Sequence, residues 1–170
     1  MIHLNNYGWN DKLSQLKQES TYNALTHGRI SIVHRTCYEV VSENGLFQCE
    51  LTGNMMYGKS DFELPCTGDW VLFQPFDEHK GIIVDMLPRE RTLYRKKNGT
   101  VADKQTIASY VDKAFIVQSL DDNFNVRRAE RFMVQMQEEN INPVLVFNKA
   151  DLRFDKQKVE EQIRHIARQI

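Results

Sequence analysis

Asn148-Lys149-Ala150-Asp151 is the stretch whose residue types and spacing offer the clearest chemistry. It follows the apolar run Val144-Leu145-Val146-Phe147, which reads as a buried strand, so the four residues fall at a strand's carboxyl end. An aspartate there can accept from both the N1–H and the N2 amino group of guanine. Adenine offers an acceptor at N1 and no amino group at C2, and a carboxylate left without its donors rejects it by about 10⁴-fold or more. The Lys149 stem can lie along one face of the base, Asn148 can brace the loop through its amide, and Ala150 occupies the variable position. An isolated N-K-x-D is more often a solvated turn; its place at a strand end puts base recognition on an equal footing with that reading.

The remaining reactive residue types form no comparable pattern. His3, His27, His34, His79 and His165 pair with no nucleophile and form no metal cluster in sequence, so no catalytic residue and no metal ligand is assigned. Cys37, Cys49 and Cys66 are odd in number, widely spaced and lack a C-x-x-C pair; they read as core thiols in a reducing compartment. The start Met1-Ile2-His3-Leu4-Asn5-Asn6 has neither a basic nor an apolar leader region, and no run reaches the length of a membrane span. The expectation is a cytoplasmic, monomeric protein with no membrane partner.

A formal charge of -1 over 170 residues does not mark the whole chain as a polyanion binder, but the charge is uneven. Between Arg89 and Lys104 stand Arg89, Arg91, Arg95, Lys96, Lys97 and Lys104 against Glu90 and Asp103, a local net of +4. That strip is either a solvated connector or a set of phosphate contacts. Arg89, Arg91, Arg95, Lys96 and Lys97 are the candidate RNA-binding residues.

The elements that would position these groups fall into four stretches. Residues 1–27 read as a lead-in, with Leu13 and Leu16 on one face of a short helix. Residues 28–88 hold five short β-type runs, Arg29 to Cys37, Tyr38 to Ser42, Leu46 to Thr52, Asp69 to Phe76 and Gly81 to Leu87. Asn44-Gly45 and Asp77 to Lys80 supply tight turns between them, and five strands in this length suggest a small barrel of the oligonucleotide-binding (OB) type. Tyr38, Phe47, Trp70 and Phe73 are open to two readings there, base stacking or core. Residues 89–110 form the basic linker. Residues 111–170 read as β-α-β-α: Ala114 to Val117 as a buried strand, a helix capped by Asn125 or Asp122 with Ala129, Phe132, Met133 and Met136 in its stripe, the Val144 to Phe147 strand, and a helix from about Asp155 with Val159, Ile163, Ile166 and Ala167 inward. Ligands of such sheets bind beyond the carboxyl ends of the strands.

The order of these features resembles the circularly permuted GTPases of ribosome assembly, the ribosome small-subunit-dependent GTPase A family. The resemblance runs from about Tyr7 to Leu152. It rests on Gly68-Asp69-Trp70-Val71, on Leu87-Pro88-Arg89 with Arg91, Leu93 and Arg95, and on Gln105 to Asp112. Phe124-Asn125 with Glu130-Arg131-Phe132, and Pro143 to Leu152 with the N-K-A-D, complete it. It implies an OB barrel followed by the first β-α-β-α part of a P-loop-type GTPase domain in which guanine reading precedes the phosphate loop.

It also implies GTP as substrate, Mg²⁺ and a structural zinc as cofactors, and the small ribosomal subunit with its rRNA as partner in late subunit maturation. No G-x-x-x-x-G-K-[ST] follows the N-K-A-D in the 170 residues, the one match to that spacing, Gly53 to Ser60, falling in the barrel stretch; the family's later Cys/His module does not occur either, so the family's ligands for Mg²⁺ and zinc are absent. Ile170 falls within what reads as a helix, and the chain is expected to be an amino-terminal portion that binds GTP weakly or not at all. Two other classes stay open: a non-catalytic RNA-binding module with a remnant guanine site, and a structural adaptor whose half-sheet another chain completes.

Overall fold

The computed structural model describes residues 1–57, 59–96, 104–121, 124–151 and 155–167. They divide into two compact units, Met1–Tyr110 and Val111–Ile170.

The first unit is built on strands β1 (Thr26–Val33), β2 (Tyr38–Ser42), β3 (Gly45–Leu51), β4 (Trp70–Asp77) and β5 (Lys80–Met86), closed into a barrel in the order β1-β2-β3-β5-β4. Neighbours are antiparallel except β3 and β5, which run parallel with Gln48 opposite Lys80. This is the OB barrel expected from the short β runs. Alternation along each strand turns Ile30, Val40, Phe47, Cys49, Val71, Phe73 and Ile83 inward, all buried. Burial pushes the Cys49 and Cys66 thiols up to about 12, so both stay protonated at neutral pH, whereas Cys37 is half-buried.

The lead-in contributes to this unit's core. Helix α1 (Asp11–Glu19) starts where the Asn10 side chain accepts from the Leu13 amide at 3.0 Å. Leu4 and Leu13 then bury against Val41, Trp70, Leu72, Leu87 and Tyr110 in a second apolar cluster. Trp9 lies 4.9 Å from Trp70 and 4.0 Å from the His27 ring, centroid to centroid. A one-turn helix, α2 (Gly53–Met56), follows β3 and buries Met55.

The structure adds order to the basic linker: β6 (Leu93–Lys96) and β7 (Lys104–Ala108) form an antiparallel pair. Sequence periodicity missed it because neither Leu93-Tyr94-Arg95-Lys96 nor Lys104-Gln105-Thr106-Ile107-Ala108 alternates apolar with polar residues.

The second unit is β8 (Lys113–Ser119), α3 (Val126–Glu138), β9 (Asn142–Asn148) and α4 (Lys156–Ala167). β8 and β9 pair in parallel, in register from Lys113↔Asn142 to Ser119↔Asn148. Asn125 caps α3 by accepting from the Arg128 amide at 2.9 Å, while its own amide donates to Gln118 Oε1 at 3.1 Å. Asp122, the other cap candidate, lies outside the described residues. Ala129, Met133 and Met136 form the buried stripe of α3. In α4 Val159 is buried, and the side chains of Ile163, Ile166 and Ala167 lie outside the described residues. Among the described residues no helix is long and apolar enough to cross a membrane.

Candidate guanine site and basic surface

Asn148 is the last residue of β9, and Lys149 to Asp151 turn away from it with all four residues exposed. Three contacts fix the turn. The Asn148 carbonyl accepts from the Leu120 amide at 2.9 Å, tying it to the segment leaving β8. Asn148 Oδ1 accepts from the Lys149 amide at 2.8 Å. Lys149 itself sits at φ 57°, a left-handed conformation that a non-glycine residue adopts only when its surroundings hold it there. Its ammonium donates to Asp121 Oδ2 at 2.9 Å, and Asp121 Oδ1 accepts from the Ser119 hydroxyl at 2.8 Å.

Asp121 is a member of the site that the sequence reading did not single out. No local sequence signal marks it: its place beside Lys149 follows from the register of the two strands, which sets Ser119 opposite Asn148. The resulting loop places a carboxylate, an ammonium stem and an amide at the carboxyl end of a parallel sheet, the edge beyond which ligands of such sheets bind. Among the described residues no group of three or more His, Cys, Asp or Glu is placed to hold a metal ion.

The five basic candidates of the first unit part company in three dimensions. Arg89 turns inward, with only 12 % of its side chain exposed. Its Nε reaches Asp69 Oδ1 at 2.9 Å, its Nη2 reaches Asp69 Oδ2 at 2.7 Å, and it donates also to the Phe62 and Leu64 carbonyls. Burial works against its charge, but the bonds and attraction to Asp69 outweigh that and hold the guanidinium above its ordinary value. A phosphate-contacting role for Arg89 therefore gives way to a structural one, because its donors are engaged inside the chain.

The partner of that bond belongs to the Gly68-Asp69-Trp70 stretch. Asp69 is wholly buried and accepts from the Cys66 amide at 2.8 Å. Gly68, at φ 97°, lets the backbone pass so close to Ser109 that a Cβ there would stand 2.3 Å from the Ser109 carbonyl oxygen. These residues join the barrel to the segment that follows it.

Arg91 bonds Glu90 Oε2 at 3.3 Å from a left-handed backbone position, φ 47°. Arg95 is exposed and binds the neutral Gln105 Oε1 through Nε at 3.0 Å and Nη2 at 2.9 Å, which leaves its charge uncompensated by that contact. The Lys96 side chain and Lys97 lie outside the described residues. Arg35, between β1 and β2, joins Arg95, Tyr38, Thr67 and Gln105 in lining a cleft of about 530 Å³ between the barrel and β6–β7. The stacking reading of Tyr38, Phe47, Trp70 and Phe73 is replaced by the core reading, since none is more than 9 % exposed and all four lie in the two apolar clusters.

Comparison with known proteins agrees with this arrangement. The family model for the RsgA GTPase matches residues 86–170. Small ribosomal subunit biogenesis GTPase RsgA 1 of Bacteroides thetaiotaomicron is 70 % identical over 167 residues, covering 98 % of this chain and 47 % of the relative. The RsgA protein of Methanosarcina acetivorans is 33 % identical over 171 residues, covering 97 % and 45 %. The chain thus spans about half the length of the curated relatives it matches. Among solved structures, YloQ, a circularly permuted GTPase, superposes with a TM-score of 0.55 at 23 % identity, over 88 % of this chain and 49 % of that one. YjeQ of Thermotoga maritima gives 0.57 at 21 %, over 83 % and 46 %. A barrel with one parallel closure, a β-α-β-α unit ending its second strand in N-K-A-D, and a family model matching half of the residues lead to one conclusion: the chain belongs to the RsgA GTPase family.

Proposed function

We propose that these residues form the guanine-reading and RNA-binding part of a GTPase that acts in maturation of the small ribosomal subunit. The observation that carries the reading is the loop Asn148-Lys149-Ala150-Asp151 held at the carboxyl end of β9. Asp151 accepts from guanine N1–H and N2–H₂, the Lys149 stem covers one face of the base, and Asn148 closes the turn. GTP, with Mg²⁺ on its phosphates, is the nucleotide that the family relation implies. No phosphate-loop motif follows the guanine loop in residues 152–170, and the G-x-x-x-x-G-K-S spacing of Gly53 to Ser60 belongs to the barrel unit, so these residues supply base recognition, and no hydrolytic step is assigned to any of them.

RNA is the second ligand, and the cleft lined by Arg35 and Arg95 supports it: two guanidinium side chains, with Thr67, Gln105 and Thr106 and one acid, Asp61, line a mixed polar and apolar space of about the size of a small-ligand site. Arg91 borders this strip and Arg89 holds it in place from within.

Base recognition can be tested without a phosphate loop by titrating the chain with nucleoside monophosphates and following backbone amides by NMR. GMP at millimolar concentration is expected to move the amides of residues 148–151 while AMP leaves them in place. Asp151→Asn turns one acceptor into a donor, which matches the C2 carbonyl of xanthine, so this variant should respond to XMP and lose its response to GMP. Equal responses to GMP and AMP, or none at all, would overturn the guanine reading.

A further inference from the structure

Helix α3 carries an arginine face that neither the guanine loop nor the barrel uses. Arg127, Arg128 and Arg131 are all exposed. At helical spacing they span about 100° of arc, on the side opposite the buried Ala129, Met133 and Met136. Among the described residues, the Arg127 and Arg128 side chains have no hydrogen-bond or ion-pair partner, and Arg131 only leans on the Phe132 ring at 5.9 Å. Glu130, the one acid among them in sequence, faces His165 Nε2 at 3.8 Å, and with Glu161 it lines the same cleft as Arg127 without pairing with it.

The placement opposes helix stability. The first turn of α3 contains no acid, and cations there meet the positive end of the helix dipole. In a chain of formal charge -1, two guanidinium groups in that first turn and a third one turn further on, none of them ion-paired among the described residues, are explained by an anionic partner outside the protein. Guanidinium binds phosphate bidentately, and three on one face match the repeating charge of a nucleic-acid backbone.

We infer that the Arg127–Arg128–Arg131 face of α3 is a second RNA-contacting surface, carried by the GTPase unit and separate from the barrel's basic cleft. It rests on the reading of RNA as partner and extends it to a unit for which only nucleotide recognition has been argued.

The test is binding of a labelled oligouridine and of a short RNA hairpin to the 170-residue chain between about 50 and 200 mM salt, where each phosphate contact on a single strand adds roughly 0.7 to the log–log slope. Three variants are compared with the parent: R127A/R128A/R131A, the charge-keeping R127K/R128K/R131K, and R35A/R95A in the barrel unit. The inference expects the alanine triple to lower the slope by about 2, the lysine triple to restore it, and helix content by circular dichroism to be unchanged or raised. A slope untouched by the alanine triple but lowered by R35A/R95A overturns it and leaves the barrel reading standing. Absence of RNA binding by the parent chain overturns both. Loss of binding to phosphatidylserine vesicles in the alanine triple, with its RNA slope intact, overturns it in favour of a membrane surface.

Discussion

Asp69 and Arg89 show how one pair can determine which of several similar residues are available for function. The carboxylate has no exposed surface and its partner very little, so each would leave an uncompensated buried charge if the other were removed. Arg89→Ala is therefore expected to destabilise the first unit by about 3–5 kcal/mol, against less than about 1 kcal/mol for an exposed arginine such as Arg95. Urea unfolding followed by tryptophan fluorescence measures this, and equal effects of the two substitutions would contradict it. Sequence placed both arginines in one basic strip, because nothing local distinguishes them. The distinction lies in an aspartate twenty positions away and in two carbonyls before it, Phe62 and Leu64, which only the closed barrel brings within reach. Lys149 and Asp121 repeat the lesson in the second unit. The N-K-A-D was legible as a motif, but the acid that sets its lysine depends on the register of two parallel strands.

At the level of elements, the lead-in docks on the barrel through a titratable contact. His27, on β1, stacks on Trp9, receives the Lys17 ammonium at 3.2 Å on Nδ1 and keeps Nε2 buried without a partner. Burial first, then the Lys17 charge, lower its pKa from 6.5, with Glu43 opposing them, so the folded protein holds the ring neutral. Above 6.5 the folded and unfolded chains both carry it neutral. As pH falls through 6.5 the unfolded chain takes up a proton that the folded one resists, and the stability present at neutral pH is lost toward the lower folded-state value. The melting temperature of the first unit should thus drop between about pH 7.5 and 5.5, a window above the ordinary carboxylate range, and His27→Gln should flatten that drop. An identical fall in the variant would assign it to other groups. The barrel strands and α3 were legible because each has one apolar face of clear period, and β8 and β9 because each holds a continuous apolar run; the full burial expected of those runs is not met, since Phe115 and Val117 are exposed and Val144 to Phe147 only half-buried. The ladder of Leu93–Lys96 with Lys104–Ala108 was not, since it is held by contacts such as Arg95 on Gln105 and Lys104 over the Tyr94 ring at 4.1 Å, which leave no hydrophobic alternation in the sequence.

Across the whole molecule, the two units differ in how much apolar surface they enclose. The first has two buried clusters and a closed barrel, so it leaves no open sheet edge among its five core strands. The second has a two-stranded sheet covered by α3 on one face, while Phe115 and Val117 on β8 remain 66 % and 60 % exposed. Two strands and one covered face give less burial per ordered residue than a barrel with a filled interior, and the smaller unit should be the less stable. Both tryptophans, Trp9 and Trp70, belong to the first unit, whereas the longer helices α3 and α4 belong to the second. Urea unfolding should then separate by probe, with helical ellipticity lost at lower denaturant and tryptophan fluorescence changing later. Coincident curves would mean that the units unfold as one. Early loss of the second unit would also weaken any ligand response at residues 148–151, together with the share of RNA binding that α3 contributes, while leaving the barrel's cleft intact, so the guanine reading and the cleft's share of RNA binding can be measured apart along one denaturant series.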